Sequence, residues 1–185
     1  MKRKILIIDN DTGAMKDLKD ALKDENFKII NFRKFKIEQA KGFTHIILTG
    51  GDHWVNLKKF SEEVKLIKNS PVPILGICYG MQLIAKSFGS NLKILKKLNK
   101  GNTYVNILRK DNLFFNVPEK IKVFEYRQYA VNKMGENFKI LATSAYGIEA
   151  IKHNKLPVYG VQFHPEVILE NKRIGRKILK NFLNI

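Results

Sequence analysis

The chain holds a single cysteine, Cys78, so no internal disulfide is open to it. A small secreted scaffold stapled by bridges is thereby excluded, and the count fits a reducing, cytoplasmic setting. Long apolar runs are also missing: nothing approaches the ~20 residues that a helix needs to cross a bilayer. The opening "MKRKILIIDNDT" is basic, but its apolar run is short and meets an aspartate, so no secretory signal is expected. Acidic residues are scarce, 17 against 34 lysines and arginines, for a formal charge of +17. Such an imbalance would suit a nucleic-acid binder. However, the lysines are spread over most of the chain, and the densest cluster, "KILKKLNK" (93–100), is short and has no interleaved aromatic residue. A solvated basic surface, complementary to an acidic partner, is expected in preference to a nucleic-acid site. No repeat, low-complexity linker or domain boundary is visible, so residues 1–185 are read as one domain.

What is present is ordered. Buried strands are expected at 4–9, 27–32, 44–51 and 72–77, where the apolar runs are nearly continuous. Between them lie helical spacings: Met15, Leu18 and Leu22, with Thr12 as cap; Leu57, Phe60, Val64 and Ile67 within 56–69; and "YGMQLIAKSFG", stopped by Gly89. This alternation predicts a mostly parallel sheet covered on both faces, in which ligands collect beyond the carboxyl ends of the strands. Gly50–Gly51 and Cys78 both follow such ends. The second half reads as strands at 103–109, 121–127, 138–144, 147–153 and 156–164, antiparallel additions and a return to the main sheet. A closing helix is expected over 171–185, with Ile174, Ile178 and Phe182 on one stripe.

Free cysteine is most often a buried small hydrophobe. The setting of Cys78 points elsewhere. Gly76-Ile77-Cys78-Tyr79-Gly80 has the strand–turn–helix form of a nucleophile elbow, with glycine where a sharp turn crowds the chain. The sulfur would stand at a helix N-terminus, where unpaired N–H groups favour thiolate over thiol, and the Tyr79 N–H would be free to meet an oxyanion.

Such a nucleophile needs a base. Of the four histidines, His45 lies in an apolar strand and reads as structural, His153 lies in a polar turn and reads as solvated, and His53 reads as a surface-loop residue beside the glycine pair. His164 ends a strand and precedes Pro165 and Glu166. Along an extended segment the carboxylate of Glu166 would share its side, which suits a Cys–His–Glu relay. No second histidine or cysteine lies at ligand spacing, so no metal is expected.

The motifs "GICYGMQ" (76–82) and "VQFHPE" (161–166), in this order and with a Gly-Gly turn upstream, resemble class I (triad-type) glutamine amidotransferases over nearly the whole chain. The resemblance implies a flavodoxin-like α/β fold, a mostly parallel central sheet with helices on both faces plus a small antiparallel sheet. It implies Cys78 as nucleophile, His164 as base and acid, Glu166 as orienting carboxylate, and oxyanion donors from Gly50, Gly51 and Tyr79. Gln82 matches the position that contacts the substrate, L-glutamine. "CYGMQ" and the run "EAIKHNKLPVYGVQFHPEV" are most similar to the stand-alone glutaminase subunits of archaeal-type GMP synthases, in which ammonia passes to a separate ATP-pyrophosphatase subunit that makes GMP from XMP. This chain has no ATP-binding signature, so ATP and magnesium are expected on that partner and no cofactor in this chain.

Three departures from the pattern stand out. Asp52 replaces the usual proline after the glycine pair, "ILEN" (168–171) replaces a His-Thr pair, and Tyr126-Arg127-Gln128-Tyr129 replaces a Ser-His-x-Asp-like segment. By position Gln128 and Tyr129 would contact substrate, and Arg127 either pairs with a carboxylate of substrate or partner or is one more exposed base. Alternative readings are the glutaminase subunit of anthranilate or aminodeoxychorismate synthase, a stand-alone γ-glutamyl hydrolase, and a non-catalytic binding protein on the same scaffold.

Overall fold

The computed structural model describes residues 3–167 and 172–185. Five short strands run parallel: β1 (Ile5–Asp9), β2 (Phe27–Asn31), β3 (His45–Leu48), β4 (Ile74–Ile77) and, late in the chain, β9 (Val158–Val161). Four more, β5 (Asn91–Ile107), β6 (Lys120–Lys133), β7 (Phe138–Ser144) and β8 (Gly147–His153), pair antiparallel. Together they make one sheet in the order β2-β1-β3-β4-β9-β8-β7-β5-β6. The expected α/β architecture is present, and its antiparallel part continues the parallel part through the β9–β8 pair.

Period-two alternation sorts the core onto two faces. Ile5 and Ile7 pack with Leu18 of helix α1 (Met15–Ala21) and with Ile178 and Phe182 of helix α4 (Lys172–Phe182). Leu6 and Ile8 pack with Leu66 and Ile67 of helix α2 (Ser61–Asn69) and with Leu83 and Ile84 of helix α3 (Tyr79–Ser87). Each of these strand residues is fully buried, which stabilises the fold by about 1.5–3 kcal/mol apiece. No helix among the described residues is long and apolar enough to cross a membrane.

Local details differ from the sequence reading for physical reasons. Thr12 does not cap α1: its hydroxyl accepts from the Ala14 N–H at 3.2 Å in a turn, and Ala14 occupies the cap position without a side-chain bond. Helix α2 starts at Ser61 rather than near 56, because Asn56 folds its side chain back onto the N–H groups of Lys58 and Lys59. Its inner face also carries Glu63, a carboxylic acid only 1% exposed. Strand β5 begins at Asn91, twelve residues before the expected 103, and the "KILKKLNK" cluster lies within it. Those side chains are mostly exposed, so backbone bonds to β6 hold the segment and no apolar alternation marks it.

The sheet curls. Strand β6 touches β8, although β7 and β5 separate them in sheet order. The His164 N–H, just past β9, donates to the Phe124 carbonyl of β6 at 2.9 Å. Residues 124–129 thus lie over the carboxyl ends of β4 and β9.

Candidate active site

Cys78 sits where β4 turns into α3, with φ 50° and ψ −104°. A positive φ is uncommon outside glycine and marks strain that the surroundings must hold in place. They do so through the Cys78 N–H, which donates to Val161 at 2.8 Å, and its carbonyl, which accepts from Gln82 at 3.1 Å. The flanking glycines are steric necessities. A Cβ on Gly76 would lie 2.5 Å from the Gly80 carbonyl carbon, and one on Gly80 would lie 2.4 Å from the Leu48 oxygen. Cys78 is only 5% exposed, but two open cavities reach it.

His164 follows β9, and its Nδ1 lies 2.8 Å from Glu166 Oε1, both side chains buried. The pair is joined by a turn rather than by extended chain: the Val167 N–H closes onto the His164 carbonyl at 3.3 Å. Gly175 of α4 permits this turn, since a Cβ there would lie 2.1 Å from the Pro165 oxygen. Gly50 stands between ring and thiol. A Cβ on it would lie 3.0 Å from His164 Cε1 and 3.7 Å from Cys78 Cβ. The second ring nitrogen, Nε2, is buried, and no contact with the sulfur meets hydrogen-bond geometry. The two are nonetheless electrostatically coupled. Burial opposes charge on the ring, but the Glu166 carboxylate and then the Cys78 sulfur outweigh it, and the His164 pKa lies well above its ordinary value. The imidazolium is therefore favoured beside the sulfur.

Further groups surround the sulfur. The Tyr126 carbonyl and the Gln162 amide each lie 3.6 Å from Sγ. The Tyr79 N–H and those of Gly50 and Gly51 donate to no backbone carbonyl among the described residues. One cavity of about 360 Å³ is bounded by Gly51, Asp52, Cys78, Lys100, Tyr126 and His164, among others. A second, of about 230 Å³, lies between Cys78, Gln82 and the Tyr126–Tyr129 segment. Asp52, where a proline was expected, borders both.

All nine candidate residues thus converge on one rim of the sheet, with some qualifications of detail. The Gln82 amide is engaged by the Tyr129 carbonyl at 3.1 Å and by Gln162 at 3.2 Å. Gln128 borders the smaller cavity but donates to the Leu95 carbonyl at 2.8 Å. The Tyr129 ring packs on exposed Trp54, centroids 4.8 Å apart. Arg127 fits neither expectation. It is buried, with Nε 2.8 Å from Glu125 and Nη2 2.5 Å from Glu149. His153 is likewise buried rather than solvated: its Nδ1 accepts from the N–H groups of Lys155 and Leu156, and it packs on Phe88 and Phe138. His45 is structural, edge-on to Phe182, and His53 meets Asp11 at 3.0 Å. The "ILEN" segment (168–171) lies outside the described residues.

Sequence reasoning passed over Gln162, Glu125 and Glu149. Gln162 could have been found, because it stands two residues before His164 and so shares its side of the strand end. The two glutamates carry no local signal, since their partner lies on β6 in one case and across the curl in the other.

The chain matches the family described as "Glutamine amidotransferase class-I" over residues 6–185. It is 40% identical over 141 residues to the glutamine-hydrolysing subunit of GMP synthase from Pyrococcus abyssi, covering 76% of this chain and 74% of that one. The protein of the same name from Pyrococcus furiosus is 39% identical, covering 82% and 79%. Among solved structures, a Thermoplasma acidophilum protein described as a GMP synthase subunit superposes with a TM-score of 0.90 at 30% identity, covering 100% of this chain and 94% of that one. A glutamine amidotransferase from Thermotoga maritima shares the fold, with a TM-score of 0.79 at 19% identity and coverage of 100% and 97%.

Proposed function

The chain belongs to the class I glutamine amidotransferase family, and from that premise we propose that it is the glutamine-hydrolysing subunit of a two-subunit GMP synthase. One observation carries the chemistry: a cysteine in a strained elbow at a helix N-terminus, beside a buried histidine whose far nitrogen is held by a carboxylate at 2.8 Å.

In this reading the Cys78 thiol proton passes to His164, and the sulfur attacks the side-chain amide carbon of glutamine. The tetrahedral oxyanion is received by N–H groups of Tyr79 and the Gly50–Gly51 turn. His164 returns the proton to the amide nitrogen, the C–N bond breaks and ammonia leaves, with a γ-glutamyl thioester left on Cys78. A water molecule then gives a proton to the same nitrogen and attacks the thioester carbon. The C–S bond breaks, the sulfur recovers its proton and glutamate departs. Glu166 faces the imidazolium throughout and fixes its orientation. The ammonia passes to a second polypeptide that supplies ATP and magnesium and aminates XMP. With one cysteine and no long apolar helix among the described residues, a cytoplasmic location belongs to the same proposal.

The test is labelling. A glutamine-shaped chloroketone should modify wild-type protein at Cys78 and leave Cys78→Ala untouched. Addition of an ATP-pyrophosphatase subunit should raise glutaminase turnover and couple it to GMP formation. Absence of labelling would reject the enzyme reading. High turnover of γ-glutamyl peptides with no partner would favour a stand-alone hydrolase.

A further inference from the structure

We propose that Arg127 is a positioning residue: clamped between Glu125 and Glu149, it holds the Tyr126–Tyr129 segment of β6 over the thiol and thereby sets the affinity for glutamine. The inference rests on the glutaminase reading above and assigns a role within it.

Arg127 and Glu125 are two residues apart on β6 and share a face. The guanidinium bridges Glu125 Oε2 through Nε at 2.8 Å and Glu149 Oε1 of β8 through Nη2 at 2.5 Å. The side chains are 1% and 0% exposed. Ser144 donates to Glu149 Oε1 at 2.6 Å, and Asn99 donates to Glu125 Oε2. Two strands separate β6 from β8 in the sheet, so the clamp is a tie across the curl rather than a contact between neighbours.

A buried ionic cluster contributes little to stability alone, since apolar side chains of similar volume commonly do as well. What this cluster supplies is a defined placement. Arg127 follows Tyr126, whose carbonyl lies 3.6 Å from the sulfur. Glu149 also touches the site from below. Its backbone carbonyl accepts from Gln162 at 2.8 Å, and the Gln162 side chain reaches the sulfur and accepts from Gln82. Gln82 in turn donates to the Tyr129 carbonyl. The ring of contacts around the smaller cavity is therefore closed through Arg127 at one end and Gln82 at the other. The charge also balances. Burial, with a smaller contribution from Glu125, pushes the Glu149 carboxyl up to about 8 against the pull of Arg127, so one guanidinium faces one carboxylate and one carboxylic acid at neutral pH.

The experiment compares wild type with Arg127→Met, Arg127→Lys and Glu149→Gln. The readouts are melting temperature, inactivation by the glutamine-shaped chloroketone resolved into affinity and maximal rate, and alkylation of Cys78 by iodoacetamide, which needs no substrate recognition. Arg127→Met should weaken chloroketone affinity about tenfold, with maximal rate and iodoacetamide reactivity within about threefold of wild type. Arg127→Lys, which keeps the charge and one contact, should fall between, and Glu149→Gln, which mimics the neutral acid, should stay near wild type. Unchanged affinity in folded Arg127→Met would overturn the proposal, as would parallel losses in all three reactivities. Should Arg127→Met not fold, Arg127→Lys decides by the same criteria. Wild-type protein that reacts with iodoacetamide but not with the chloroketone would reject the glutaminase reading, and this inference with it.

Discussion

Glu63 offers a stability test that does not touch the thiol. Its carboxyl lies on the inner face of α2, 1% exposed, with neither oxygen in a hydrogen bond of good geometry. Asn10 and the Tyr79 phenol are its polar neighbours. Burial pushes the carboxyl from its usual 4.5 up to about 8, opposed only by the Asn10 side chain. Because the folded-state value is raised, the folded chain keeps a proton that the unfolded chain releases. The stability linked to that proton is complete below pH 4.5 and is lost as pH rises towards 8. The loss runs at about 1.4 kcal/mol per pH unit, reaching about 3 kcal/mol at pH 7 and about 5 kcal/mol beyond pH 8. Glu63→Gln removes the titration while keeping the shape. Its stability relative to wild type, measured by urea unfolding, should therefore improve by about 4 kcal/mol between pH 5 and pH 9. Groups common to both proteins cancel in this difference. In thermal scans the same change should widen the gap in melting temperature by about 10 °C. A difference that stays flat from pH 5 to 9 would refute the reasoning, because Glu63 would then be hydrated or paired in the folded state.

Other outcomes follow from the site. His164→Asn should cost more glutaminase rate than Glu166→Gln, because the histidine moves protons and the carboxylate only orients and charges it; near-equal losses in steady-state turnover would give Glu166 a larger part. Glu166 is the leading group that raises the His164 pKa, so in Glu166→Gln the alkaline limb of the pH–rate profile should move to lower pH, and an unmoved limb would assign that limb to another group. Gly76→Ala places a Cβ 2.5 Å from backbone that cannot yield, and should cost about 3 kcal/mol or prevent folding; a wild-type melting temperature would show the elbow to be looser than it is here.

The legible and the hidden parts of this molecule divide by range. The parallel strands could be read because each is a short, nearly continuous apolar run, buried on both faces. The elbow could be read because the crowding that demands Gly76 and Gly80 arises within a few residues of Cys78. The pairing of His164 with Glu166 was visible, but its route was not: proline and a closing turn, rather than extended chain, bring the two together. The first half of β5 stayed hidden because charged side chains facing solvent carry no apolar period. His153 was misjudged because its polar sequence neighbours concealed the Phe88 and Phe138 rings that cover it from elsewhere in the chain.

The sequence by itself determined the alternation of strand and helix, the sharp turn that lifts a sulfur to the head of α3, and the proline-led turn that sets an imidazole against a carboxylate. Each depends on torsion angles and contacts among residues close along the chain, so composition and spacing suffice to specify them. Tertiary structure alone decided that the sheet curls back on itself, that Arg127 is enclosed by two glutamates, and that Glu63 faces inward without a countercharge. Those outcomes depend on which distant strand or helix lies opposite. The energy of a buried charge is set by whatever the fold places within a few ångströms of it.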